Sequence, residues 1–418
     1  MSTSTPSLLN KRILPFAFFG NALEFYEFTV YAIFAPLFAK EFFVTDSETL
    51  SLIISWGGFA IAFITRPVGA FVFGYIGDKL GRKMALSFSI LTMASATLAI
   101  GLLPTYSEGG LFAPISLILL RMIQGISTGG EYNGAAIYLI EKFQYKNPGF
   151  IGGIVTSSCV LGALVGTIFG GWCQANDVWR IAFIAGGVFG IFLFFLRFIL
   201  TESLAFNMET EVMGASKIRF LSSKYISKFF ANMLVGGLNG ALSYTLFGFS
   251  LFYLKKYLGY SVNEALVLNI IGMIAYFIAN PSFGAVYDRI GGKNYWKIIL
   301  PIGVISLVLA FRMINSTIYE YNVLGILMLG AQAGSVSGPC HAFFQENIVP
   351  GIRYRFVSVS FAMGMALIGG TTPGLLTFLI QKYDLIYAPC YWIGGLSLIT
   401  WLLCQIVYKI WGGVQKRG

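Results

Sequence analysis

Long apolar runs separated by short polar segments dominate the chain. Twelve such runs lie near residues 13–39, 51–76, 84–104, 111–140, 150–174, 179–200, 227–254, 262–286, 296–314, 322–345, 355–380 and 386–409. A helix needs about 20 apolar residues to cross the hydrocarbon core of a bilayer. The pattern therefore predicts an all-α membrane protein with twelve transmembrane helices, and an even number of crossings places both termini on the same side.

The composition agrees with a membrane protein. Hydrophobic residues make up 56% of the 418 residues and charged residues only 11%, with a mean hydropathy of +0.75. Soluble domains carry about 25% charged residues, so an ordinary soluble enzyme is excluded. The first run resembles the start of a signal peptide, but it is too long for one and contains Glu24 and Glu27. We expect it to be retained as the first span.

The sequence offers few residues for metal or cofactor chemistry. His341 is the only histidine, and the five cysteines form no C-x-x-C pair. The usual zinc ligand sets cannot be assembled from these residues. All five cysteines lie in apolar runs, where buried and reduced thiols are expected. We therefore expect neither a metal nor a cofactor.

Lysine and arginine are distributed unequally between the two ends of the predicted helices. With cytoplasmic termini, twenty of these residues lie on the cytoplasmic side and six on the opposite side. This bias follows the positive-inside rule and predicts that both termini are cytoplasmic. The net charge of +10 then reflects topology and contact with lipid rather than binding to nucleic acid.

A polar segment divides the chain near its middle. We expect an N-terminal six-helix bundle in residues 1–200, a cytoplasmic linker in 201–226 and a C-terminal six-helix bundle in 227–418. A repeat supports this division: Gly74-x-x-x-Asp78-Lys79-x-Gly81-Arg82-Lys83 follows the second run, and Gly284-x-x-x-Asp288-Arg289-x-Gly291-Gly292-Lys293 follows the eighth, 210 residues later. Duplicated bundles of this kind are typical of transporters that work by alternating access.

The side chains of the first copy have separate expected tasks. Gly74 and Gly81 allow close approach of backbones and a tight turn. Asp78 can accept hydrogen bonds from the N-terminus of a neighbouring helix. Arg82 and Lys83 are expected to anchor the loop at lipid headgroups.

This first copy, with Arg66-Pro67 upstream, resembles the loop motif of the major facilitator superfamily. Two further segments resemble the metabolite:proton symporter family within it, which includes proline/betaine and dicarboxylate transporters. They read Gly20-Asn21-Ala22-Leu23-Glu24-Phe25-Tyr26-Glu27-Phe28 and Arg121-x-x-Gln124-Gly125-x-Ser127-x-Gly129-Gly130-Glu131. The family usually has Trp at the position of Phe25 and Asp at that of Glu27. Osmosensing members carry a long C-terminal tail, whereas here the last run ends close to Gly418, so osmotic gating through such a tail is not expected.

The resemblance implies two pseudo-symmetric six-helix bundles and proton-coupled uptake, driven by the proton motive force, in a bacterial-type inner membrane. It implies a monomer that contacts lipids, protons and a small-molecule substrate. It also implies a conformational latch on the cytoplasmic side, distinct from the substrate site. The latch residues are Arg66, Gly74, Asp78, Gly81, Arg82, Lys83, Asp288 and Arg289.

Five ionisable side chains are clear cases of charges inside the predicted spans: Glu24, Glu27, Arg66, Arg121 and Glu131. Each costs about 2.5 kcal/mol or more at mid-bilayer and so requires a partner or a function. Two nearby carboxylates cannot easily both ionise in a low-dielectric interior, so Glu24 or Glu27 is expected to carry the coupling proton. The alternative is a structural ion pair with Arg66 or Arg121. Glu131 either pairs with an arginine or takes part in coupling.

The same charges limit the chemical class of substrate that the transporter is expected to bind. Three acids and two bases provide no cationic surplus for a dicarboxylate, while Arg121 can bind a single carboxylate through its guanidinium fork. Aromatic faces attract ammonium groups by about 0.5–2 kcal/mol, and the first span is rich in them. A zwitterion such as proline, betaine or another amino acid is therefore expected, with an organic acid as the alternative. The candidate substrate and coupling residues are Asn21, Glu24, Tyr26, Glu27, Tyr31, Arg121, Gln124, Glu131 and His341, the last of which is either a packing or a cavity-lining residue.

Two other classes of protein can be weighed against a transporter. Residues 125–129 fit the G-x-S-x-G pattern of esterases, but they lie inside an apolar helical run rather than in a strand-turn-helix elbow. An ion channel normally requires a filter loop or a charged ring, and neither is visible. The sequence therefore predicts a transporter and not an enzyme.

Overall fold

The computed structural model describes residues 8–143, 146–197, 223–346 and 348–411. Within these ranges the chain is helical, without a β-strand, and it forms twelve helices that are long and apolar enough to cross a membrane. Each apolar run of the sequence overlaps one of these helices. The predicted fold class is confirmed.

The first six helices are α1 (Leu8–Glu41), α2 (Glu48–Lys79), α3 (Arg82–Leu102), α4 (Phe112–Lys142), α5 (Pro148–Ala175) and α6 (Trp179–Arg197). One additional helical turn, Tyr106–Gly109, lies between α3 and α4. Most of the predicted linker, residues 201–222, lies outside the described residues.

The last six helices include two with a π-helical turn. α7 comprises Ser223–Tyr244, the π-helical turn Thr245–Phe249 and Ser250–Leu258. α11 comprises Pro350–Gly364, the π-helical turn Met365–Gly369 and Thr372–Tyr383. The others are α8 (Val262–Ile290), α9 (Gly292–Ile314), α10 (Tyr319–Gln345) and α12 (Ala388–Trp411).

The two copies of the repeated motif make the same backbone turn. Gly81, between α2 and α3, has a φ of 105°, and Gly291, between α8 and α9, has a φ of 78°. Glycine adopts this region without the steric cost that other residues incur. Each pair of consecutive helices can therefore reverse direction within one or two residues.

The described residues separate into two compact units. The first contains the described residues within 1–145, 158–213 and 349–359, and the second those within 146–157, 214–348 and 360–418. The first turns of α11 thus belong to the first unit, and the first turns of α5 to the second.

Within the first unit, α2 and α4 cross with their backbones in contact. A side chain on Gly69 of α2 would collide with the backbone of α4, and one on Gly125 or Gly129 of α4 would collide with that of α2. Small residues permit such close packing in membrane helices. The crossing fixes the backbones that carry Arg66 and Arg121.

An aromatic cluster fixes α1 against α6 in the same unit. The ring of Phe38 lies 5.4 Å from that of Trp179 and 5.7 Å from that of Phe183. Tyr31 joins the cluster with its ring 5.2 Å from Phe38. Edge-to-face and tilted ring contacts of this kind hold the helix that carries the acidic residues of the site.

Candidate functional site

The guanidinium of Arg121 is held in place by three helices of the first unit. It is fully buried. Its Nη1 donates to Oε1 of Gln124 at 2.7 Å, and its Nε donates to the carbonyl of Gly58 at 3.3 Å. Its centre lies 4.1 Å from the centroid of the Tyr31 ring. Its Nη2 finds no acceptor within the described residues, so one arm of the fork remains available.

Glu24 and Arg66 form a loose ion pair in the same interior. Nη2 of Arg66 lies 3.8 Å from Oε1 of Glu24. The guanidinium lies between the rings of Phe28 and Phe63, at 4.5 Å and 4.3 Å from their centroids. Oε2 of Glu24 has no hydrogen-bond partner in the described part of the chain. The sequence groups Arg66 with the latch residues. In the structure Arg66 lies beside Glu24, whereas the latch residue Asp78 contacts the backbone of Tyr354 and Arg355.

Glu27 is the least compensated acid of the site. Its side chain is buried against Gly186 of α6, where any side chain would collide with its Oε1. Neither carboxylate oxygen has a donor at hydrogen-bonding distance and angle among the residues described, and the hydroxyl of Thr97 and the guanidinium of Arg121 interact with the carboxylate only at longer range. A buried carboxylate without such partners is costly to keep ionised.

Glu131 has a full set of partners. Arg197, the last described residue of α6, donates to both of its carboxylate oxygens, and Ser89 donates to Oε2. The sequence predicts that Glu131 either pairs with an arginine or takes part in coupling. The structure contains the ion pair with an arginine.

The remaining predicted residues of the site are engaged by neighbouring groups. Tyr26 donates to the carbonyl of Ala182 at 2.7 Å, and Tyr31 donates to that of Ser55 at 3.1 Å. Asn21 donates to Oγ of Ser158 at 2.7 Å.

His341 lies in the second unit. It is buried, with its ring centroid 6.1 Å from that of Phe344. Its Cβ faces Gly152 of α5 so closely that a side chain there would lie within 3.0 Å of it. This tight packing is what a structural histidine would show.

The first copy of the repeated motif holds the start of α11. Oδ1 and Oδ2 of Asp78 accept the backbone N–H groups of Tyr354 and Arg355, each at 3.1 Å. The acceptor contact with a helix N-terminus that the sequence indicates for Asp78 is present. The positive end of the helix dipole adds to its stability.

Arg82 was expected at lipid headgroups, and this expectation is wrong. Its side chain is fully buried because Glu141 of α4 accepts from its Nε and Nη2 at 3.1 Å and 3.2 Å. Arg353 of α11 donates to the same carboxylate at 2.7 Å, and Arg82 also donates to the carbonyl of Pro350 at 2.8 Å. The charge cluster thus ties α3 and α4 to the start of α11.

The second copy repeats one of these contacts but not the other. Asp288 accepts the backbone N–H groups of Gly149 and Phe150, at the start of α5, at 2.7 Å and 2.9 Å. The position equivalent to Arg82 is Gly292, and no guanidinium can occupy it. Arg289 is exposed.

The hydroxyls of Tyr287 and Tyr408 lie next to Gly292, the position at which the second copy has no arginine. Tyr287 donates to Oε1 of Glu346, and Tyr408 donates to Oε2 at 2.9 Å. A side chain on Gly292 would collide with both hydroxyls.

Comparison with known proteins identifies the family. The model of the Major Facilitator Superfamily matches residues 17–373. The chain belongs to the major facilitator superfamily. This superfamily member is 31% identical to a putative proline/betaine transporter of Staphylococcus haemolyticus, over 96% of the chain and 88% of the relative. It is 30% identical to the glycine betaine/proline/ectoine/pipecolic acid transporter OusA of Dickeya dadantii, over 93% and 81%.

The fold of the transporter also matches solved structures of the superfamily. The proton:xylose symporter XylE bound to 6-bromo-6-deoxy-D-glucose superposes with a TM-score of 0.77, covering 95% of both chains at 16% identity. The family match, the named relatives and the twelve long apolar helices show that the chain is an integral membrane transporter and not an enzyme. Ser127, in the esterase-like pattern, lies within α4 and donates to the carbonyl of Ile123, which is not the elbow that a nucleophile requires.

Three charged residues of this transporter were missed by sequence reasoning. Arg197 lies inside the run 179–200, so the sequence does offer a signal by which it can be counted with the buried charges. Glu141 and Arg353 lie just outside the runs 111–140 and 355–380 and give no such signal. Their pairing joins residues 212 positions apart, which the order of residues alone does not indicate.

Proposed function

We propose that this transporter takes up a small zwitterionic metabolite, such as proline or a betaine, together with protons by alternating access. The named relatives transport such solutes. The observation that carries the proposal is the pair of unused groups in the buried site: one arm of Arg121 and both carboxylate oxygens of Glu27. A guanidinium arm suits a substrate carboxylate, and an uncompensated acid suits a proton or an ammonium group.

The remaining charges favour a zwitterion over an organic acid. Arg66 lies beside Glu24 and Arg197 is bound to Glu131, which leaves Arg121 as the cation of the site that can bind an incoming carboxylate. The ring faces of Phe28 and Tyr31 already lie against guanidinium groups. The ammonium of the substrate is then expected to find its partner among the acids.

Coupling requires a group whose protonation changes the affinity for substrate. We assign this task to Glu27 or Glu24, acting with Arg121. When the acid is ionised it attracts Arg121, and when it is protonated it releases the guanidinium for the substrate carboxylate. Proton and substrate then communicate through one residue.

The contacts of Asp78 and Asp288 are proposed as the latch of the transport cycle. Each holds the start of a long helix through two backbone N–H groups, and such contacts can break and reform without unfolding either helix. We place them on the cytoplasmic side of a bacterial-type inner membrane, with both termini cytoplasmic, and expect the protein to work as a monomer.

Transport by the purified protein in liposomes tests the proposed function. With an imposed inward proton gradient, labelled proline is expected to accumulate above its external concentration, and a protonophore is expected to abolish the accumulation. A dicarboxylate supplied in excess is expected to compete poorly. Accumulation that follows a sodium gradient instead, or preferential transport of the dicarboxylate, would contradict the proposal.

A further inference from the structure

A small cavity lies inside the first unit between α1, α3 and α4. Its volume is about 10 Å³, close to the minimum that holds one water molecule. Its polar lining residues are Glu24, Glu131, Ser89 and Ser127. Leu23, Ile90 and Met93 provide apolar walls.

The acid on one side of this cavity has an unsatisfied oxygen. Glu24 is buried, and its Oε2 has no partner within the described residues. On the other side, Oε2 of Glu131 accepts a hydrogen bond from Ser89. Ser127 donates its proton to the carbonyl of Ile123, so its oxygen can still accept. A water molecule in the cavity would therefore meet the two to four polar partners that buried waters require.

We propose that this cavity is a water site through which the coupling proton passes between Glu24 and Glu131. The proposal rests on the proposed function, since it concerns the route of the coupled proton. In the transfer, the O–H bond of Glu24 breaks and a new O–H bond forms on the water. An O–H bond of that water breaks at the same time and a new one forms on Glu131. The water is regenerated, and one proton has moved between two carboxylates.

The charged groups around the cavity determine when the proton can move. Arg66 of α2 stabilises Glu24 after it loses its proton. Arg197 of α6 donates to both carboxylate oxygens of Glu131, so in the proposed transfer this ion pair opens before the proton reaches Glu131. Two further titratable groups face these acids: Cys159 of α5 interacts with Glu24, and Tyr354 of α11 interacts with Glu131.

Two substitutions at Ser127 test the water site while both acids stay unchanged. Ser127→Ala keeps the space, and Ser127→Val fills it with a branched apolar side chain. In Ser127→Val, the initial rate of proton-driven accumulation of proline should fall by about a hundredfold or more, the scale of a lost proton transfer, while exchange of labelled for unlabelled proline stays close to wild type. Ser127→Ala should retain accumulation. Ser87→Val is the matched control, because Ser87 of α3 also donates to a backbone carbonyl but does not line the cavity.

The outcomes distinguish this inference from the proposed function. If Ser127→Val accumulates proline like the wild type while Glu24→Gln does not, the coupling proposal stands and the water route is wrong. If Ser127→Val loses exchange as well, Ser127 serves substrate binding or folding and the water route is again wrong. An experimental map that resolves buried waters should show one within hydrogen-bonding distance of both Glu24 and Glu131, and a map without it would overturn the inference even if transport is proton-coupled.

Discussion

Asp78 and Asp288, 210 residues apart, make the same contact: each carboxylate accepts two backbone N–H groups from the start of a long helix. The helix is α11 for Asp78 and α5 for Asp288, so the repeat in the sequence is also a repeat of a hydrogen-bonding arrangement. Both helices begin at a proline, Pro350 in α11 and Pro148 in α5. Proline has no N–H to donate. Asp288 binds the N–H groups of the second and third residues of α5, and Asp78 binds those of the fifth and sixth residues of α11.

Replacing Asp78 with asparagine should lower turnover much more than substrate affinity. The amide keeps one acceptor but loses the negative charge at the helix N-terminus and one of the two hydrogen bonds. Charge-assisted hydrogen bonds contribute about 1.5–3 kcal/mol, so turnover should fall by about tenfold or more, with the half-saturating concentration little changed. Initial rates of proline uptake over a range of concentrations provide the measurement. Asp177→Asn, at an exposed aspartate, is the control, and equal turnover in both variants would show that the loop is an ordinary connection.

Replacing Arg82 with alanine should destabilise the protein as well as slow it. Glu141 would keep Arg353 but lose two hydrogen bonds in a buried setting. Breaking a buried ion pair from one side costs about 3–5 kcal/mol, which should appear as a clear drop in the thermal unfolding midpoint in detergent. Arg289→Ala, at the exposed arginine of the second copy, should change the midpoint little. A similar midpoint for both variants would contradict the assigned role of Arg82.

Replacing the critical acid of α1 with glutamine should uncouple transport. The amide resembles the protonated carboxyl group in shape and charge, so the site can still bind and exchange substrate. Glu24→Gln or Glu27→Gln should therefore retain exchange of labelled proline but lose accumulation driven by a proton gradient. Glu48→Gln, at the exposed start of α2, should behave like the wild type. If both α1 variants still concentrate proline, the proton is carried elsewhere, and Glu131 becomes the next candidate.

Replacing Arg121 with lysine should weaken substrate binding. Lysine keeps the charge but cannot reproduce the planar fork that contacts Gly58 and Gln124 and leaves one arm for a carboxylate. The half-saturating concentration for proline should rise by about tenfold, or about 1.4 kcal/mol. Arg180→Lys serves as the control, since its partly exposed side chain lies near the exposed Glu108. Binding can be measured by thermal shift with and without proline, and equal shifts in the two variants would remove Arg121 from the substrate site.

Reporters fused to the chain should establish its orientation. A reporter placed after Lys224, at the start of α7, should behave as cytoplasmic, and one placed after Gly259, at the end of α7, should behave as external. Opposite signals at these two points would overturn the assignment of the termini.

The sequence predicts the helices well because each span must be long and apolar enough to cross the bilayer. It also indicates the contact of Asp78, because a carboxylate in a motif after a helix has few other uses. It does not reveal that Arg82 is buried, since the carboxylate that draws it inward, Glu141, lies 59 residues away. The pairing of Glu131 with Arg197 was missed for the same reason: a linear pattern shows that a buried acid requires a partner but not which distant cation supplies it.

The crossing of α2 and α4 limits which movements transport can use. Glycine lets the two backbones touch, and even a single added carbon on Gly129 would collide with the backbone at Arg66. We therefore expect sliding of one helix along the other to be blocked, because it would bring larger residues to these contact points. In that case α2 and α4 move together as one rigid body during transport. We therefore expect the backbone positions of Arg66 and Arg121 to keep the same spacing throughout the cycle, so that a substrate meets the same arrangement of these two residues from either side of the membrane.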